Sequence, residues 1–476
     1  MAMKRSGGPA AALVVLAALA SAIAGSRAQA AQARPRPRVV SLVITNGTIV
    51  TMDGARRVLG GGAIAIDGPT IVAVDRAAAI ASAYRGRATI DARGAIVMPG
   101  LINTHTHAPM VLYRGLADDL ALMDWLQKYI FPAEAKTVSP AFVAAGTRLA
   151  ALEMIRSGTT TYADMYYFEE EIARVTKAAG LRGVLGQTII RFPVPDAKTP
   201  AEGLARAEAF ARQFAGDPLI TPAVAPHSMY TLDAGTLRQA RALADQLGIP
   251  VLTHLAETED EVNISNARHK LSPAAYLDSL GFWKPGTLAA HGVWLTPADI
   301  DILKRGGAGV SHNPESNMKL ASGIAPVLAT RAAGVPVGLG TDGAASNNDL
   351  DMFEAMRQAA FLHKVASKDP RAMPAGDALA MATIEGARAL GMADRIGSLE
   401  PGKRADVIVV GTTAPRQSPM YDPVSHLVYV TRGDDVVATV VDGRVLMRDR
   451  RVLTLDERAV LAESKTMAEQ VRAAVQ

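Results

Sequence analysis

The sequence predicts an α/β protein: a (β/α)8 TIM barrel with a small discontinuous β-sandwich domain that the N- and C-terminal flanks form together. In the middle of the chain, short β-branched or apolar runs alternate with helical stretches such as "LRQARALADQLG", which end near a glycine. Both flanks carry alternating apolar and polar residues around Asn-Gly or Asp-Gly turns. A length of 476 residues suits one large α/β domain plus a modest second one.

The start of the chain differs in composition from the rest. Residues 1–30 combine a basic start, "MAMKR", an apolar run from Pro9 to Gly25 and Ala-x-Ala sites in "RAQAAQA", which is typical of a secretory signal peptide. A membrane anchor is the alternative, but the apolar run is shorter than the roughly 20 residues of a spanning helix. We expect signal cleavage, export to the bacterial periplasm or the medium, and no stable membrane insertion. Residues 31–38, with "RPRPR", are expected to form a disordered leader.

Two β-rich segments are expected to form the second domain. Residues 39–97 include "SLVITNGTIVTMDG" and "GAIAIDGPTIVAVD", and residues 396–455 include "ADVIVVG" and "DVVATVVDGRVLMRDRRVL". Isolated hairpins are only marginally stable, so the two segments should pair with each other. The barrel then occupies residues 98–395, and a C-terminal helix occupies residues 456–476.

The barrel prediction depends on eight strands, most of which end in a polar residue. An open doubly wound sheet is the alternative, but no Gly-x-Gly-x-x-Gly turn follows the first strand. In a barrel the carboxyl ends of the strands build the active site. The predicted strands end at "NTHTH", Asp164, Gln187, His227, His254, His291, His312 and Asp342.

The composition excludes several kinds of site. The chain has no cysteine, which rules out disulfides, thiolate metal ligands and a cysteine nucleophile. The net charge of +4 falls to +1 without the signal peptide, and the sequence has no basic block of the kind that nucleic-acid binding needs. We expect a small-molecule partner and no nucleic acid, and the sequence leaves a homo-oligomer open.

Histidines concentrate at the predicted strand ends. Because successive side chains of a strand point to opposite faces, His105 and His107 should emerge on the same face and converge. His254 and Asp342 end the fifth and eighth strands and complete a set of three imidazoles and one carboxylate. That set suits one Zn²⁺ with an open position for water, although Fe²⁺ or Mn²⁺ would accept the same ligands. Three other histidines lie in helical or C-terminal stretches and are expected to be structural or surface residues: His269, His363 and His426.

Glu257 follows His254 by three residues in "HLAE" and should leave the strand toward the same end of the barrel. A carboxylate beside a metal-bound water can take its proton and pass it to a substrate, which is general acid/base catalysis. An acidic surface turn is the alternative, because "ETEDE" is a run of charges. Glu259 to Glu261 are interpreted as solvated.

The strand-end residues lie in six motifs that occur together in a known family. The motifs are "NTHTHAPM", "APHSMY", "HLAET", "AAHGVW", "VSHNPESNMKL" and "LGTDGAASNN". As a set they resemble the amidohydrolase superfamily, in its mononuclear deaminase branch, and most closely the 5-methylthioadenosine/S-adenosylhomocysteine deaminases. The likeness runs from about residue 40 to residue 455.

The resemblance implies roles for individual residues. Glu257 would shuttle the proton, His291 would assist at the metal water, and His227 would face the substrate ring. Binuclear members of the superfamily carry a bridging lysine where this chain has His227, so the resemblance favours one metal ion. The implied metal ligands are His105, His107, His254 and Asp342.

The resemblance is weaker for the substrate pocket. Trp125 and Glu134 match positions that line the pocket and hold ribose hydroxyls in the adenosine-type branch; a helix-packing tryptophan and a surface glutamate are the alternative. That branch carries an arginine near the end of strand three, where this chain has Gln187, and Arg191 is a possible substitute.

The implied activity is hydrolytic deamination of an amino-substituted nitrogen heterocycle, with an adenosine-type nucleoside favoured as substrate. The alternatives are a deaminase or chlorohydrolase of another heterocycle, such as guanine, cytosine, a pterin or a triazine, and a hydrolase of a cyclic amide or lactone. A binding protein without catalysis is a further alternative from a different class, but it would have no use for Glu257 beside the metal ligands.

Overall fold

Two β-sheets organise the part of the chain that this computed structural model describes, namely residue 1 and residues 36–475. The predicted signal peptide, apart from Met1, and residues 31–35 of the predicted leader lie outside the described residues.

The N-terminal flank consists of five strands and one short helix. Its first strand starts at Arg38, the last residue of the predicted leader. The elements are β1 (Arg38–Val50), β2 (Val58–Asp67), β3 (Thr70–Arg76), α1 (Ala77–Ala83), β4 (Tyr84–Asp91) and β5 (Ile96–Pro99).

Eight parallel strands form the central sheet, and each pairs with its neighbour in the sequence. The first and the eighth also meet, because Thr104 Oγ1 donates a hydrogen bond of 2.9 Å to the Leu339 carbonyl. This confirms the predicted (β/α)8 barrel. The strands are β6 (Leu101–Thr106), β7 (Thr159–Tyr166), β8 (Arg182–Ile189), β9 (Ile220–Pro226), β10 (Val251–Leu255), β11 (Thr287–His291), β12 (Gly309–His312) and β13 (Val337–Leu339).

Helices connect and surround these strands. Several start at an N-cap side chain, as Ser139, Thr199 and Asp233 do by accepting a backbone N–H. The helices are α2 (Leu122–Trp125), α3 (Phe131–Thr137), α4 (Pro140–Ser157), α5 (Glu169–Ala179), α6 (Pro200–Gln213), α7 (Ala234–Leu247), α8 (Glu259–His269), α9 (Pro273–Ser279), α10 (Pro297–Gly306), α11 (Pro314–Lys319), α12 (Val327–Ala332), α13 (Met352–Ser367), α14 (Ala375–Met381) and α15 (Ile384–Ala389).

Four short helical segments are not α-helical. Ala108–Tyr113, Pro415–Gln417 and Gly433–Asp435 are 3₁₀ turns, and Leu126–Ile130 is a π-helical turn between α2 and α3. Such π-helical turns are rare in proteins, and those that occur are often found at functional sites.

The C-terminal flank completes the second sheet. Strand β5 pairs antiparallel with the first strand of this flank, so the two flanks join in one nine-stranded sheet. The predicted union of the flanks is confirmed. The remaining elements are β14 (Val407–Val410), α16 (Pro423–Tyr429), β15 (Val436–Val441), β16 (Arg444–Arg448), β17 (Arg451–Val452) and α17 (Glu457–Val475).

A buried ion pair connects the barrel to the flanking sheet. Arg182, at the start of β8, donates from Nε to Asp406 at 3.0 Å and from Nη2 to Asp442 at 3.1 Å. The Arg182 and Asp406 side chains are only 3% and 4% exposed, so each charge depends on the other.

The helices that the structure describes were compared with the length and composition of a membrane span. Among the described residues, no single helix is long and apolar enough to cross a bilayer. One pair of helices in this part of the chain, Leu122–Thr137 and Pro140–Ser157, has the length and composition of a span when the two are taken together, and the pair is bent by 113°.

Candidate metal centre

Residues that are far apart in the chain meet at the carboxyl ends of the barrel strands. His105 lies near the end of β6, His107 follows that strand, His254 lies in β10 and Asp342 comes just after β13. The rings of His105 and His107 are 4.9 Å apart between centroids, so both side chains do point to the same place. The structure brings these four predicted ligands together.

The donor atoms are spaced as a small ion requires. Asp342 Oδ1 lies 3.4 Å from His105 Nε2 and 3.3 Å from His107 Nε2. His254 Nε2 lies 3.4 Å from His107 Nε2. Ligand atoms on a tetrahedral ion with bonds of about 2.1 Å are roughly 3.4 Å apart. The buried His105 Nε2 has no hydrogen-bond partner among the described residues, as expected for a ligand atom. His105, His107 and His254 could therefore hold one metal ion, and the Asp342 carboxylate lies within 3.4 Å of two of these rings.

Backbone carbonyls fix the tautomers of two of these histidines. His107 Nδ1 donates to the Met165 carbonyl at 2.6 Å, and His254 Nδ1 donates to the His227 carbonyl at 2.9 Å. Because a carbonyl oxygen can only accept, each Nδ1 carries a proton, which leaves Nε2 as the ring atom that can bind an ion. The two imidazoles are thus prepared as ligands.

The backbone of Asp342 has a conformation that is uncommon for a non-glycine residue. Its φ of +64° is in the left-handed region, which non-glycine residues adopt mainly where the surroundings enforce it. Ser316 Oγ and Ser346 Oγ donate to Oδ2 at 2.7 and 3.0 Å, and the Gly343 N–H donates to Oδ1 at 2.7 Å. These contacts fix both carboxylate oxygens.

The electrostatics of this cluster favour a positive charge between the donors. Although burial disfavours the ionised carboxylate, the adjacent His105 and His107 imidazoles hold the pKa of Asp342 well below its usual range. Burial lowers the pKa of His105 to about 4. Burial also opposes protonation of His107, but the hydrogen bond to Asp342 and its charge raise the pKa of His107 to about 9. One cation beside Asp342 is therefore favourable, and a bound metal ion would provide it.

Glu257 and His291 lie beside the donor set. His291 Nε2 is 3.9 Å from both Glu257 Oε2 and Asp342 Oδ2. Burial raises the pKa of the Glu257 carboxyl above its ordinary value, which suits a group that takes up and returns a proton. Glu257 is 6% exposed, so it is not part of an acidic surface turn. The prediction that Glu261 is solvated was wrong, because this side chain is buried. Its Oε2 accepts a hydrogen bond from the Glu257 N–H at 3.0 Å.

A cavity opens onto the donor set. The space between its lining residues is about 610 Å³, a volume that includes open solvent at the mouth. Trp125, Glu134 and His227 line it, and so do Glu257 and His291. Its remaining wall is largely apolar: Met110, Leu122, Leu126, Ile130, Phe131, Met165, Tyr166, Tyr167, Tyr230 and Leu320.

The surroundings of Glu134 and His227 shift the pKa values of both side chains. Tyr166 Oη donates to Glu134 Oε1 at 2.7 Å, and burial raises the pKa of Glu134 to about 7. The expected alternative of a surface glutamate does not apply, because Glu134 is 5% exposed. Burial, together with neighbouring imidazoles, lowers the pKa of His227 to about 3, so this ring is neutral and can both donate and accept a hydrogen bond.

Gln187 does not reach the cavity. Its Nε2 donates to the buried Asp196 carboxylate at 2.9 Å and to the Thr188 carbonyl at 3.2 Å. The next residue of β8, Thr188, lines the cavity instead, because neighbouring residues of a strand face opposite sides. Arg191 is exposed and is not among the lining residues. The structure thus places Gln187 behind the cavity wall.

The remaining histidines have structural contacts. His312 Nε2 lies 3.1 Å from His363 Nε2, so this strand-end histidine faces a helix rather than the cavity. His426 Nε2 lies 3.0 Å from the Gln417 carbonyl, and the ring of His269 stacks on Tyr276.

Residues that orient the site were missed in the sequence. Ser316 contacts Asp342, and Asn317 Oδ1 lies 3.0 Å from His291 Nδ1. Both belong to "VSHNPESNMKL", whose polar residues directly after a barrel strand were the available signal.

Fold and site together define a (β/α)8 barrel whose strand ends carry a cluster of residues that could hold a metal ion. The chain belongs to the amidohydrolase family, whose profile matches residues 96–446. This confirms the resemblance noted in the sequence.

Three similar proteins illustrate the relationship. A 5-methylthioadenosine/S-adenosylhomocysteine deaminase of Syntrophobacter fumaroxidans is 47% identical over 90% of this chain and 98% of its own length. A 5'-deoxyadenosine deaminase of Methanosarcina mazei is 43% identical over 92% of this chain and all of its own. The crystal structure of an adenosine deaminase from Xanthomonas campestris with bound zinc superposes with a TM-score of 0.90 at 41% identity, covering 92% of this chain and 100% of that one.

Replacing a ligand should remove the ion without unfolding the barrel. We expect His107→Ala, which deletes one of the four donors, to lower the metal content of the purified protein at least about 10-fold. His269→Ala, at a half-buried histidine that stacks on Tyr276 and is not one of the donors, is the control and should keep full metal content. Elemental analysis after dialysis checks this; unchanged metal in the His107→Ala variant would refute the assignment.

Proposed function

We propose that the protein is a metal-dependent hydrolytic deaminase of adenosine-type nucleosides, which converts the 6-amino group to an oxo group and releases ammonia. The observation that carries this proposal is the buried Glu257 carboxyl, 3.9 Å from His291 and beside four converging ligands, at the floor of a cavity. The three similar proteins support it, since all are named as deaminases of adenosine or of its 5'-modified derivatives.

One divalent ion is part of the proposal, with Zn²⁺ favoured and Fe²⁺ or Mn²⁺ as alternatives. The residues that would hold it are His105, His107, His254 and Asp342. When bound, such an ion supplies Lewis-acid activation of water at neutral pH. The zinc in the Xanthomonas campestris structure supports this identity.

Glu257 moves the proton in this reaction. As a base it takes a proton from the attacking water, and as an acid it gives that proton to the ring nitrogen next to the amino-bearing carbon. The carbon becomes electrophilic and accepts the oxygen as a hydroxyl group. The remaining proton of that hydroxyl then passes to the amino group, the C–N bond breaks to release ammonia, and the C=O bond of the product forms. His291 Nε2 and Asp342 Oδ2, which are 3.9 Å apart, flank the position from which the water attacks.

The cavity wall would bind the nucleoside at both ends. The neutral His227 ring is placed to hydrogen-bond the base, and the Glu134 carboxylate, oriented by Tyr166, is placed to accept from ribose hydroxyls. Trp125 offers an apolar face beside them. Hydrogen bonds from two hydroxyls would favour the ionised form of Glu134.

A substrate panel tests the proposal directly. We expect the metal-loaded protein to release ammonia from adenosine, 5'-deoxyadenosine, methylthioadenosine or S-adenosylhomocysteine with much higher kcat/KM than from guanine, cytosine, pterins or aminotriazines. Metal analysis of the same sample should give about one ion per chain. Ammonia from a non-nucleoside only, chloride from a chlorotriazine, or acid from a lactone without ammonia would each contradict the proposal.

Glu257→Gln separates catalysis from binding. The amide keeps the size of the side chain but cannot carry the proton, so we expect kcat to fall at least about 10²-fold while the metal content stays unchanged. Glu259→Gln, an exposed change two residues away, is the matched control and should retain activity. Ammonia release and metal analysis are measured on each variant; a fully active Glu257→Gln protein would exclude the proposed role.

We also propose that the enzyme acts outside the cytoplasm after cleavage of its signal peptide. The basic start, the apolar run and the Ala-x-Ala sites of residues 1–30 support this. Expression of the full chain in a bacterium should yield a periplasmic or secreted product that lacks about 30 residues by intact mass. A full-length cytoplasmic product would contradict it.

A further inference from the structure

One segment covers the cavity. Residues 114–137, called here the covering segment, include α2, the π-helical turn and α3. They contribute Leu122, Trp125, Leu126, Ile130, Phe131 and Glu134 to the wall. The position of this segment therefore determines the shape of the substrate cavity.

A second element supports the opposite side of the site. Helix α11 carries Ser316, which hydrogen-bonds Asp342 at 2.7 Å, and Asn317, which lies 3.0 Å from His291. The next residue after α11, Leu320, lines the cavity. A shift of α11 would thus move groups that face the reacting water.

Lys319, the last residue of α11, connects these two parts. Its Nζ donates to Asp118 Oδ1 in the covering segment at 2.6 Å. It also donates to Asn348 Oδ1 and lies 3.4 Å from the Ala345 carbonyl, both in the loop that follows Asp342. An ammonium group has three N–H donors, and here three acceptors from two separate segments surround it.

The ion pair is unlike an ordinary surface pair. The Lys319 side chain is only 21% exposed, whereas Asp118 is 40% exposed. The hydrogen bond from Lys319 holds the pKa of Asp118 below its usual range, so the carboxylate is charged at neutral pH. Partly exposed pairs contribute little to global stability, so loss of this one should alter position more than folding.

We propose that Lys319 is a positioning residue that couples the covering segment to the metal side of the cavity. Through Asp118 it holds residues 114–137 over the bound substrate, and through Asn348 and Ala345 it holds the loop after Asp342 in a fixed relation to them. The proposal deepens the proposed deaminase function and rests on it for its kinetic consequences.

The kinetic test compares the two partners with a neighbour. We expect Asp118→Asn to raise KM about 10-fold with kcat little changed, because the covering segment contributes to binding in the ground and transition states alike. Lys319→Met should raise KM by the same factor and also lower kcat, since it loses the contacts to the loop after Asp342. Combining both changes should raise KM no further than either alone.

Two variants separate positioning from a general structural effect. Lys319→Arg keeps a cation and should restore most of the KM of the parent protein. Asp119→Asn removes an adjacent carboxylate that pairs with no described basic residue and should leave both constants unchanged. Two results would overturn the coupling. One is a Lys319→Met protein with the KM of the parent. The other is an Asp118→Asn protein with unchanged constants when Lys319→Met lowers kcat.

Hydrogen exchange tests the same coupling without turnover. In the zinc-loaded protein, peptides from residues 114–137 should exchange several-fold faster in Lys319→Met and Asp118→Asn than in the parent and in Asp119→Asn. Equal exchange in all four would refute the role of Lys319. Faster exchange in a protein that deaminates no nucleoside would support the coupling while rejecting the proposed function, so the two failures are distinguishable.

Discussion

The structure depends on one electrostatic constraint, which is that an ionised carboxylate lies in the interior among three imidazoles. Asp342 is 5% exposed, and its pKa is held well below the ordinary range by His105 and His107. A buried charge is costly unless a neighbouring charge and hydrogen bonds compensate it. Two serine hydroxyls and a backbone N–H satisfy the carboxylate, and the remaining demand is for a cation at the point where the imidazole Nε2 atoms converge. The left-handed backbone at Asp342 and the carbonyls that contact two imidazole Nδ1 atoms orient the same groups.

Closure of the barrel is what satisfies the constraint. His105 and Asp342 are separated by most of the barrel sequence, yet they lie on its first strand and just after its last. The Asp342 N–H donates to the His105 carbonyl at 2.9 Å, so the contact that closes the sheet also sets the distance between two ligands. His254 reaches the same point from β10, across the barrel. A change that loosened the seam between β6 and β13 would therefore act on metal affinity as well as on stability.

The sequence could predict which residues lie at the carboxyl ends of the barrel strands. It could not always predict which side of the strand a given side chain faces. Runs of apolar residues locate the strands, and the period of two along a strand places His105 and His107 together. Gln187 was assigned to the pocket from its match to a family position, but a difference of one residue decides whether Gln187 or Thr188 enters the cavity, and nothing local fixes that register. His312 likewise ends a strand but pairs with His363, a partner on a distant helix that no spacing reveals. The supporting residues of α11 act through tertiary contacts and were missed for that reason.

Three carboxyl groups that line one cavity have different pKa values because their surroundings differ. Asp342 accepts hydrogen bonds from two hydroxyls and a backbone N–H and lies against the His105 and His107 imidazoles, and its pKa is low. Glu257 has the His291 ring near it but no hydrogen-bonded cation, so burial dominates and its pKa is raised. Glu134 accepts one hydrogen bond from Tyr166 in an apolar wall, and burial raises its pKa to about 7. Environments that separate the pKa values of neighbouring carboxyls assign them different roles. Here the ionised group suits a ligand, and the group with the raised pKa beside it suits proton transfer. A carboxyl near its pKa at neutral pH suits hydroxyl recognition, since its charge can follow the arrival of a substrate.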